Sequence, residues 1–434
     1  GISFKELDID RLRFFLHGET QFVHALYELL LNNVSHVQVL APGAKATPRY
    51  TVLERECFRP VGFGPDEGTL PYPAHALLGY RLLQEYFTFP QKFLFVDLVG
   101  LDRVDRTGVQ GKLDVEIFLN RAPRADQSIS AENFRLGCAP IVNLFEQIAE
   151  PIRLDQTQHE HLIIPDVRRP GANEIYSINT VTLSSPDTGA VRPVQPIYSI
   201  KHAARDENET AFWYATRRPS VRKGDNGTEV YLSLADLNFN PAVPAAETLT
   251  ISATCTNRDL PGKLPSDDPR GDFELEGAAP VSTIRSLVKP TLPVRPPLTG
   301  EMQWRLISHL SLNYLSLGTG GPEALHEILR LYDFSDTAVV RQQIAGITSV
   351  SCKRVVRRPP SMGWQAFCRG MEIVVELDEE KYVGTGVFLF ASVLETFLGL
   401  YASLNSFTQL TARSRQRERP IKRWPPRAGE QILL

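Results

Sequence analysis

The sequence predicts an α+β multidomain protein in which a β-sandwich-like middle domain is flanked by two mixed α/β domains. Its length of 434 residues suggests about three domains at roughly 150 residues each. Apolar residues recur at helical spacing at first, alternate with polar ones from about position 160, and return to helical spacing after about position 300. We therefore predict a mixed α+β domain (1–155), a β-rich sandwich-like domain (156–286), a proline-rich linker (287–300) and a C-terminal α+β domain with a basic tail (301–434).

The first segment alternates helices and strands. Apolar residues share one helical face in residues 19–31 and again in residues 74–87, which predicts two amphipathic helices. A near-continuous apolar run predicts a buried strand, because such strands are covered on both faces. Pro140 suits the first turn of a third helix, where a missing N–H is tolerated. The remaining predicted elements are strands at 11–16, 93–99 and 111–120, the last pairing with the second, and that third helix at 141–149.

The middle segment reads as short strands separated by turn-forming residues. A Gly224-Asp225-Asn226-Gly227 run is a strong turn signal, and several short strands at this spacing are typical of a β-sandwich. The linker holds four prolines, at positions 290, 293, 296 and 297, which favour an extended and semi-rigid chain. The predicted strands are residues 174–183, 195–200, 211–216, 229–234 and 247–254.

The last segment returns to helices and ends in a basic tail. Residues 301–317, including Trp304, are apolar on most sides, which predicts a centrally buried helix. Residues 413–427 carry seven Arg or Lys against one Glu. The other predicted elements are helices at 322–331 and 387–404 and strands at 347–356 and 371–377.

Composition excludes several classes of protein. The formal net charge of -3 gives no global field for nucleic acid, and no run of about 18 apolar residues could span a bilayer. The five cysteines are widely spaced, which favours reduced thiols in a cytoplasmic protein. The chain opens at Gly1 without a methionine, so we expect that a preceding segment is missing.

The sequence offers no set of residues that would make an active site. His159 and His161 would share a strand face, but catalytic zinc normally needs a third protein ligand. A glycine-rich run before residue 322 follows a helix and lacks the Lys-Ser/Thr of a phosphate-binding loop. We therefore predict no catalysis, no metal and no cofactor. Two alternatives stay open: an enzyme built on the middle domain, and a carbohydrate-binding sandwich, for which consecutive Phe212, Trp213 and Tyr214 would point to both faces.

The basic tail is the candidate interaction site. Arginine and tryptophan are enriched at protein interfaces, and prolines reduce the entropy lost when an extended chain docks. We predict a protein-docking arm, with a solvated tail as the ordinary alternative and nucleic-acid binding as a weaker one. The candidate residues are Arg413, Arg415, Arg417, Arg423, Trp424 and Arg427.

Three signatures, in order along nearly the whole chain, resemble the TssF family (also called VasA or ImpG). The first comprises Leu70-Pro71-Tyr72, residues 79–87 (GYRLLQEYF) and residues 90–95 (PQKFLF). The second is residues 304–314 (WRLISHLSLNY), and the third joins residues 405–408 (NSFT), 413–417 (RSRQR) and 424–429 (WPPRAG).

This resemblance implies a structural baseplate wedge subunit of the bacterial type VI secretion system, a contractile, phage-tail-like injection machine. It implies TssG, TssK, TssE and VgrG-type hub proteins as partners, and more than one TssF copy per wedge. It also implies a cytoplasmic location at a baseplate docked to the inner membrane, without nucleic acid and without direct membrane insertion. The family brings no catalytic residues to carry over, and its members have a further N-terminal region.

Overall fold

The computed structural model forms two compact units. The first unit joins Gly1–Ile141 with Glu301–Leu434, and the second is Val142–Gly300. The first and last segments, for which the sequence predicts separate domains, therefore lie in one unit. The structure describes residues 9–41, 49–72, 78–104, 112–123, 128–155, 157–186, 188–199, 211–236, 247–264, 271–277, 280–298, 300, 303–304, 307, 321–357, 367–400, 402 and 406–429.

The described residues in the N-terminal part of the first unit form two α-helices and two small antiparallel sheets. One sheet has the order β4-β5-β1-β7 and the other β3-β2-β6. The elements are β1 (Arg11–Leu16), α1 (Thr20–Asn32), β2 (Val34–Ala41), β3 (Arg49–Leu53), β4 (Phe58–Pro60), α2 (Leu78–Thr88), β5 (Phe95–Val99), β6 (Asp114–Leu119) and β7 (Phe134–Arg135).

Strand β5 is buried, as its apolar run predicts, but its predicted partner is wrong. The strand predicted at 111–120 forms β6, which pairs with β2, whereas β5 pairs with β1 and β4. Asp97 in the middle of β5 accepts hydrogen bonds from Arg13 Nε at 2.7 Å and Arg13 Nη2 at 2.8 Å. This bidentate contact satisfies the buried carboxylate.

The first sequence signature surrounds a buried ion pair between α2 and the residues on either side of it. Lys92 Nζ donates to Glu85 Oε2 and to the carbonyl of Glu67 at 3.1 Å. Glu85 Oε1 accepts from the backbone N–H groups of Thr69 at 2.8 Å and Leu70 at 2.9 Å. Burial lowers the pKa of Lys92, and the hydrogen bond that Lys92 donates to Glu85 opposes that shift. Removing either partner would leave a buried charge uncompensated, so the pair holds the backbone of Glu67, Thr69 and Leu70 in place.

The second unit is the predicted β-rich segment. Its strands follow the order β10-β14-β13-β12-β11-β15-β8, with β9 also pairing with β15. The fully buried side chains of Leu232, Leu249 and Ile251 lie in its core together with Trp213. The strands are β8 (Phe145–Ile148), β9 (Ile152–Arg153), β10 (His161–Leu162), β11 (Glu174–Ser184), β12 (Val191–Pro196), β13 (Ala211–Pro219), β14 (Thr228–Asp236) and β15 (Thr248–Thr256).

Two predictions for this region are wrong. The helix predicted at 141–149 is extended, and β8 pairs with the long strand β15. Helical spacing over so few residues competes poorly with backbone hydrogen bonds to an existing sheet. The predicted proline-rich linker is packed onto the second unit, because Arg295 donates to Glu174 Oε2 at 2.7 Å and to Asp259 Oδ1 at 3.0 Å.

The C-terminal part of the first unit holds a third sheet with the order β16-β17-β18-β19, and β20 pairs with β18 beside β19. Strand β18 runs parallel to β17, so the helix between them makes a crossover connection. The elements are α3 (Gly321–Arg330), α4 (Ala338–Ala345), β16 (Ile347–Arg357), β17 (Cys368–Leu377), α5 (Val387–Leu400), β18 (Ser406–Ser414), β19 (Lys422–Arg423) and β20 (Arg427–Ala428).

Helix α5 is the centre of the first unit. Every residue from Val387 to Gly399 is buried. Its Phe388 ring lies 6.0 Å from Tyr27 of α1, and its Phe390 ring lies 5.7 Å from Tyr86 of α2. The apolar surface of the N-terminal helices is thus covered by a helix from the last third of the chain.

The helix predicted at 301–317 lies almost entirely outside the described residues. Trp304, which is described, is 71% exposed, so the prediction that it is buried is wrong. In the described part of the chain, no helix has the length and apolar character needed to cross a bilayer.

Candidate interaction surface at the C-terminal segment

The basic C-terminal segment is built into the third sheet and is not a free arm. Lys422 and Arg423 pair with Ala412 and Thr411 of β18, and Arg427 pairs with Thr408. The backbone N–H of Trp424 donates to the carbonyl of Leu410 at 3.0 Å. The segment therefore completes the sheet edge beside β18.

Trp424 is a core residue with only 8% of its surface exposed. Its ring stacks on Phe388 of α5 with centroids 6.0 Å apart, and Lys422 Nζ lies 5.5 Å from its ring centroid. Gln409 Nε2 donates to the Trp424 carbonyl at 2.9 Å. The prediction that Trp424 is an exposed docking anchor is wrong, because its apolar surface is already used within the unit.

Lys422 closes the end of α1. Its Nζ donates to the carbonyl of Leu31 at 3.1 Å, one of the carbonyls that a helix C-terminus leaves unpaired. Asn32 Nδ2 in turn donates to the carbonyl of Ile421 at 2.9 Å. Burial lowers the pKa of Lys422 to about 8, and the nearby charge of Arg55 adds to the shift.

Arg417 ties the segment to two acids. Its Nη2 donates to Glu28 Oε2 of α1 at 3.2 Å and to Glu379 Oε2 at 3.1 Å. Burial alone would lower the pKa of Arg417, but the hydrogen bonds that it donates to Glu28 and Glu379 raise the pKa overall. Arg121 also donates to Glu28, at 3.1 Å. The cavity beside this cluster is about 60 Å³, which leaves room for a few water molecules.

The remaining candidate arginines divide between the two faces of the sheet. Arg427 donates to both carboxylate oxygens of Glu395 on α5, each at 2.8 Å. Arg423 donates to Glu372 at 2.6 Å. Neighbouring residues of a strand point to opposite faces, so Arg413 shares a face with the Thr411–Arg423 pair, opposite α5. Arg413 and Arg415 are exposed.

Sequence reasoning missed the acidic partners of these arginines. Glu28 and Glu395 are buried acids on helices that otherwise present apolar faces. Glu395 is the one charged residue in α5, and a lone acid in such a helix signals a cationic partner elsewhere. The partner could not be named from sequence, because Glu28 and Arg417 lie 389 positions apart.

The two histidines and the aromatic run that the sequence singled out can be placed in the described part of the chain. Within them, no group of three or more His, Cys, Asp or Glu is placed to hold a metal ion. His159 is exposed, whereas His161 lies in β10. Phe212 and Trp213 are both buried, and Tyr214 is 42% exposed, so β13 exposes one of these three aromatic rings.

Comparisons with known proteins agree along the whole chain. The family model "Type VI secretion system, TssF" matches residues 1–431. The type VI secretion system component TssF1 of Pseudomonas aeruginosa is 38% identical over 447 residues, which cover 100% of this chain and 71% of that protein. One chain of the TssK-TssF-TssG baseplate subcomplex, solved by cryo-electron microscopy, is similar with a TM-score of 0.79. It is 29% identical, and the match covers 100% of this chain and 77% of that chain.

A chain with this fold and this extent of similarity is a structural component of a type VI secretion baseplate. It belongs to the TssF family. The resemblance read from the three sequence signatures is confirmed.

Proposed function

We propose that this chain is a non-catalytic wedge subunit that assembles with TssG and TssK in the baseplate. The observation that carries the proposal is the similarity over the full chain to a component of the TssK-TssF-TssG subcomplex. TssE, VgrG-type hub proteins and a second TssF copy are further partners in this proposal, and the assembly sits at a baseplate docked to the inner membrane.

The construction of the first unit supports a scaffolding role. Its first and last segments share one core through α5, and the ion pairs of Arg417 and Arg427 fix the C-terminal segment to that core. Partly buried, multiply bonded arginines hold a backbone in one geometry more firmly than exposed pairs do. A rigid surface loses little conformational entropy on binding, which favours ordered assembly.

We further propose that the exposed arginines of the C-terminal segment contact a partner. Arg413 and Arg415 are exposed at the end of β18, whereas Arg417 and Arg427 are engaged by acids of the same unit. The docking role predicted for the whole tail is therefore confined to these two positions, with Arg423 beside them already bonded to Glu372. Exposed charges of this kind steer association and fix register.

The test is reconstitution with purified TssG and TssK of the same secretion system. Size-exclusion chromatography with native mass spectrometry should give one complex containing all three chains. The Arg413→Glu/Arg415→Glu variant should weaken assembly at least tenfold at about 0.1 M salt while keeping its unfolding midpoint. The matched control is Arg168→Glu/Lys223→Glu, which makes the same charge change at exposed positions of the second unit.

Two outcomes would count against these proposals separately. Failure of the wild-type chain to join TssG and TssK would overturn the proposed function. Normal assembly of the Arg413→Glu/Arg415→Glu variant would leave the function in place and remove the two arginines from the interface.

A further inference from the structure

Strand β16 is a long edge strand. It spans Ile347–Arg357 at the end of the third sheet, and β17 is the one strand of the described residues that pairs with it. The first residue of the strand contacts α3, because His326 Nε2 of that helix lies 3.0 Å from the carbonyl oxygen of Ile347. Further along, Ser349, Ser351 and Lys353 are exposed. An edge of this length presents a row of backbone groups that can pair with another strand.

The exposed part of β16 is basic. The strand contains three basic residues, at positions 353, 354 and 357, and no acid. The acid opposite Lys353 in the register is Glu372, whose Oε1 already accepts from Arg423 at 2.6 Å and Arg357 at 3.4 Å. The charge of Glu372 is therefore shared among several cations, and the edge keeps a positive excess.

Apolar side chains follow the basic pair along the strand. Val356 is 62% exposed, and Phe367, the residue before β17, is 82% exposed. Lys353 and Arg354 point to opposite faces of the sheet, as do Val355 and Val356. A strand laid beside this edge would therefore meet one cation and one valine on each face.

We propose that the outer edge of β16, from Ser349 to Val356, receives an extended acidic segment of another protein chain as an added β-strand. Backbone hydrogen bonds would hold the segment, and cross-strand side-chain pairs would select it. The matching sequence has two consecutive acids opposite Lys353 and Arg354, followed or preceded by two apolar residues opposite Val355 and Val356. This inference rests on the proposed function in one respect, because it assumes that the partner chain belongs to the same baseplate assembly.

The same charges argue against a second copy of this chain as the occupant. Two β16 strands placed edge to edge would bring together three basic residues from each and no acid. Like charges directly opposite one another destabilise a strand pair. Basic residues on an edge strand thus prevent self-association, and they admit a segment of opposite charge.

A synthetic peptide tests the chemistry directly. The probe is acetyl-Thr-Val-Val-Glu-Glu-Val-Val-Thr-amide, whose symmetrical sequence suits either strand direction, and its control carries Lys-Lys in place of Glu-Glu. Binding to the full chain is measured by isothermal titration calorimetry, and the location by hydrogen exchange of the amides of β16. We expect the acidic peptide to bind, to slow exchange at positions 349–356, and to bind more weakly as salt rises.

Charge reversal supplies the decisive comparison. Lys353→Glu/Arg354→Glu should weaken the acidic peptide about tenfold or more and should bind the lysine peptide instead. Arg168→Glu/Lys223→Glu, with the same change in net charge, should bind both peptides as the wild type does. Equal binding of the acidic peptide to both variants would overturn the proposal, and so would protection at any other strand. Self-association of the wild type through β16, or equal protection by a single-stranded DNA oligonucleotide, would also overturn it.

The reconstituted complex with TssG and TssK separates this inference from the proposed function. Slowed exchange at positions 349–356 within the complex, lost in Lys353→Glu/Arg354→Glu, supports strand addition. A complex that assembles with unchanged exchange at this edge overturns strand addition and leaves the proposed function intact. If no complex forms, the proposed function fails, and strand addition by a baseplate partner fails with it whatever the peptide does.

Discussion

Trp424 offers a sharp test of how the C-terminal segment is used. In the structure its ring lies between α5 and the third sheet, and 8% of its surface is exposed. The natural control is Trp304, a tryptophan of the same chain that is 71% exposed. Trp424→Ala and Trp304→Ala remove the same atoms, so their difference in stability reports burial alone.

The magnitude follows from the area removed from water. An indole buries about 200 Å² when covered, which corresponds to about 4 to 5 kcal/mol at about 25 cal/mol per Å². Measured losses for buried Trp→Ala substitutions, about 3 to 5 kcal/mol, fall in the same range. The covered fraction of Trp304 corresponds to about 1 kcal/mol. We therefore expect Trp424→Ala to be less stable than Trp304→Ala by about 3 kcal/mol.

The assay must report on the first unit alone, because the chain has two units that need not unfold together. Hydrogen exchange of peptides from α5 and β18 during a urea titration gives the free energy of unfolding of that unit. A difference below about 1 kcal/mol between the two variants would refute the packing described for Trp424. It would restore the picture of a docking arm, in which the substitution weakens assembly and leaves stability unchanged.

Three further perturbations test the core of the first unit. His24 is buried, and burial lowers its pKa from 6.5 to about 4. As the pH falls, the unfolded chain therefore binds a proton at this histidine before the folded chain does. The free energy of unfolding should fall by about 3 kcal/mol as the pH drops from 6.5 to 4. A free energy of unfolding that does not change with pH in the wild type, or that falls equally in His24→Leu, would contradict this prediction. A double-mutant cycle of Glu28→Gln with Arg417→Met should give a coupling energy of about 1 to 3 kcal/mol in urea unfolding. A coupling energy near zero would mean that the ion pair does not stabilise the fold. Gly370→Ala would place a Cβ 2.4 Å from the buried ring of Phe407, so it should lower the free energy of unfolding by about 1 to 3 kcal/mol; Gly300→Ala, with nothing within 4 Å, should be neutral.

Local patterns in the sequence were sufficient for most elements. The stripe that predicts α1 and the apolar run that predicts β5 are properties of consecutive residues, and both elements form. The strands of the second unit likewise follow from alternation and turn residues. Such signals succeed because the geometry of a helix or strand sets the spacing of its buried positions, and that spacing is visible in the residues of the element itself.

The errors share a physical origin in long-range pairing. Nothing local distinguishes a basic segment that binds a partner from one whose cations meet Glu28, Glu379 and Glu395 of its own unit. The strand β8 forms because β15 is there to pair with it, although its own residues also fit a helix. Both outcomes depend on residues far away in the chain, which composition and periodicity do not reveal.

The interleaving of the two units has a consequence during synthesis. Helices α1 and α2 leave the ribosome long before α5, which covers their apolar faces, because the second unit of about 160 residues is made in between. At about 5 to 20 residues per second, the early helices wait on the order of ten seconds or more for their partner. A nascent chain interrupted before α5 leaves Tyr27 and Tyr86 without the packing they have in the finished fold. Such a product keeps exposed apolar surface of the kind that chaperones and proteases act on, so the first unit reaches its folded state only when the last segment has been made.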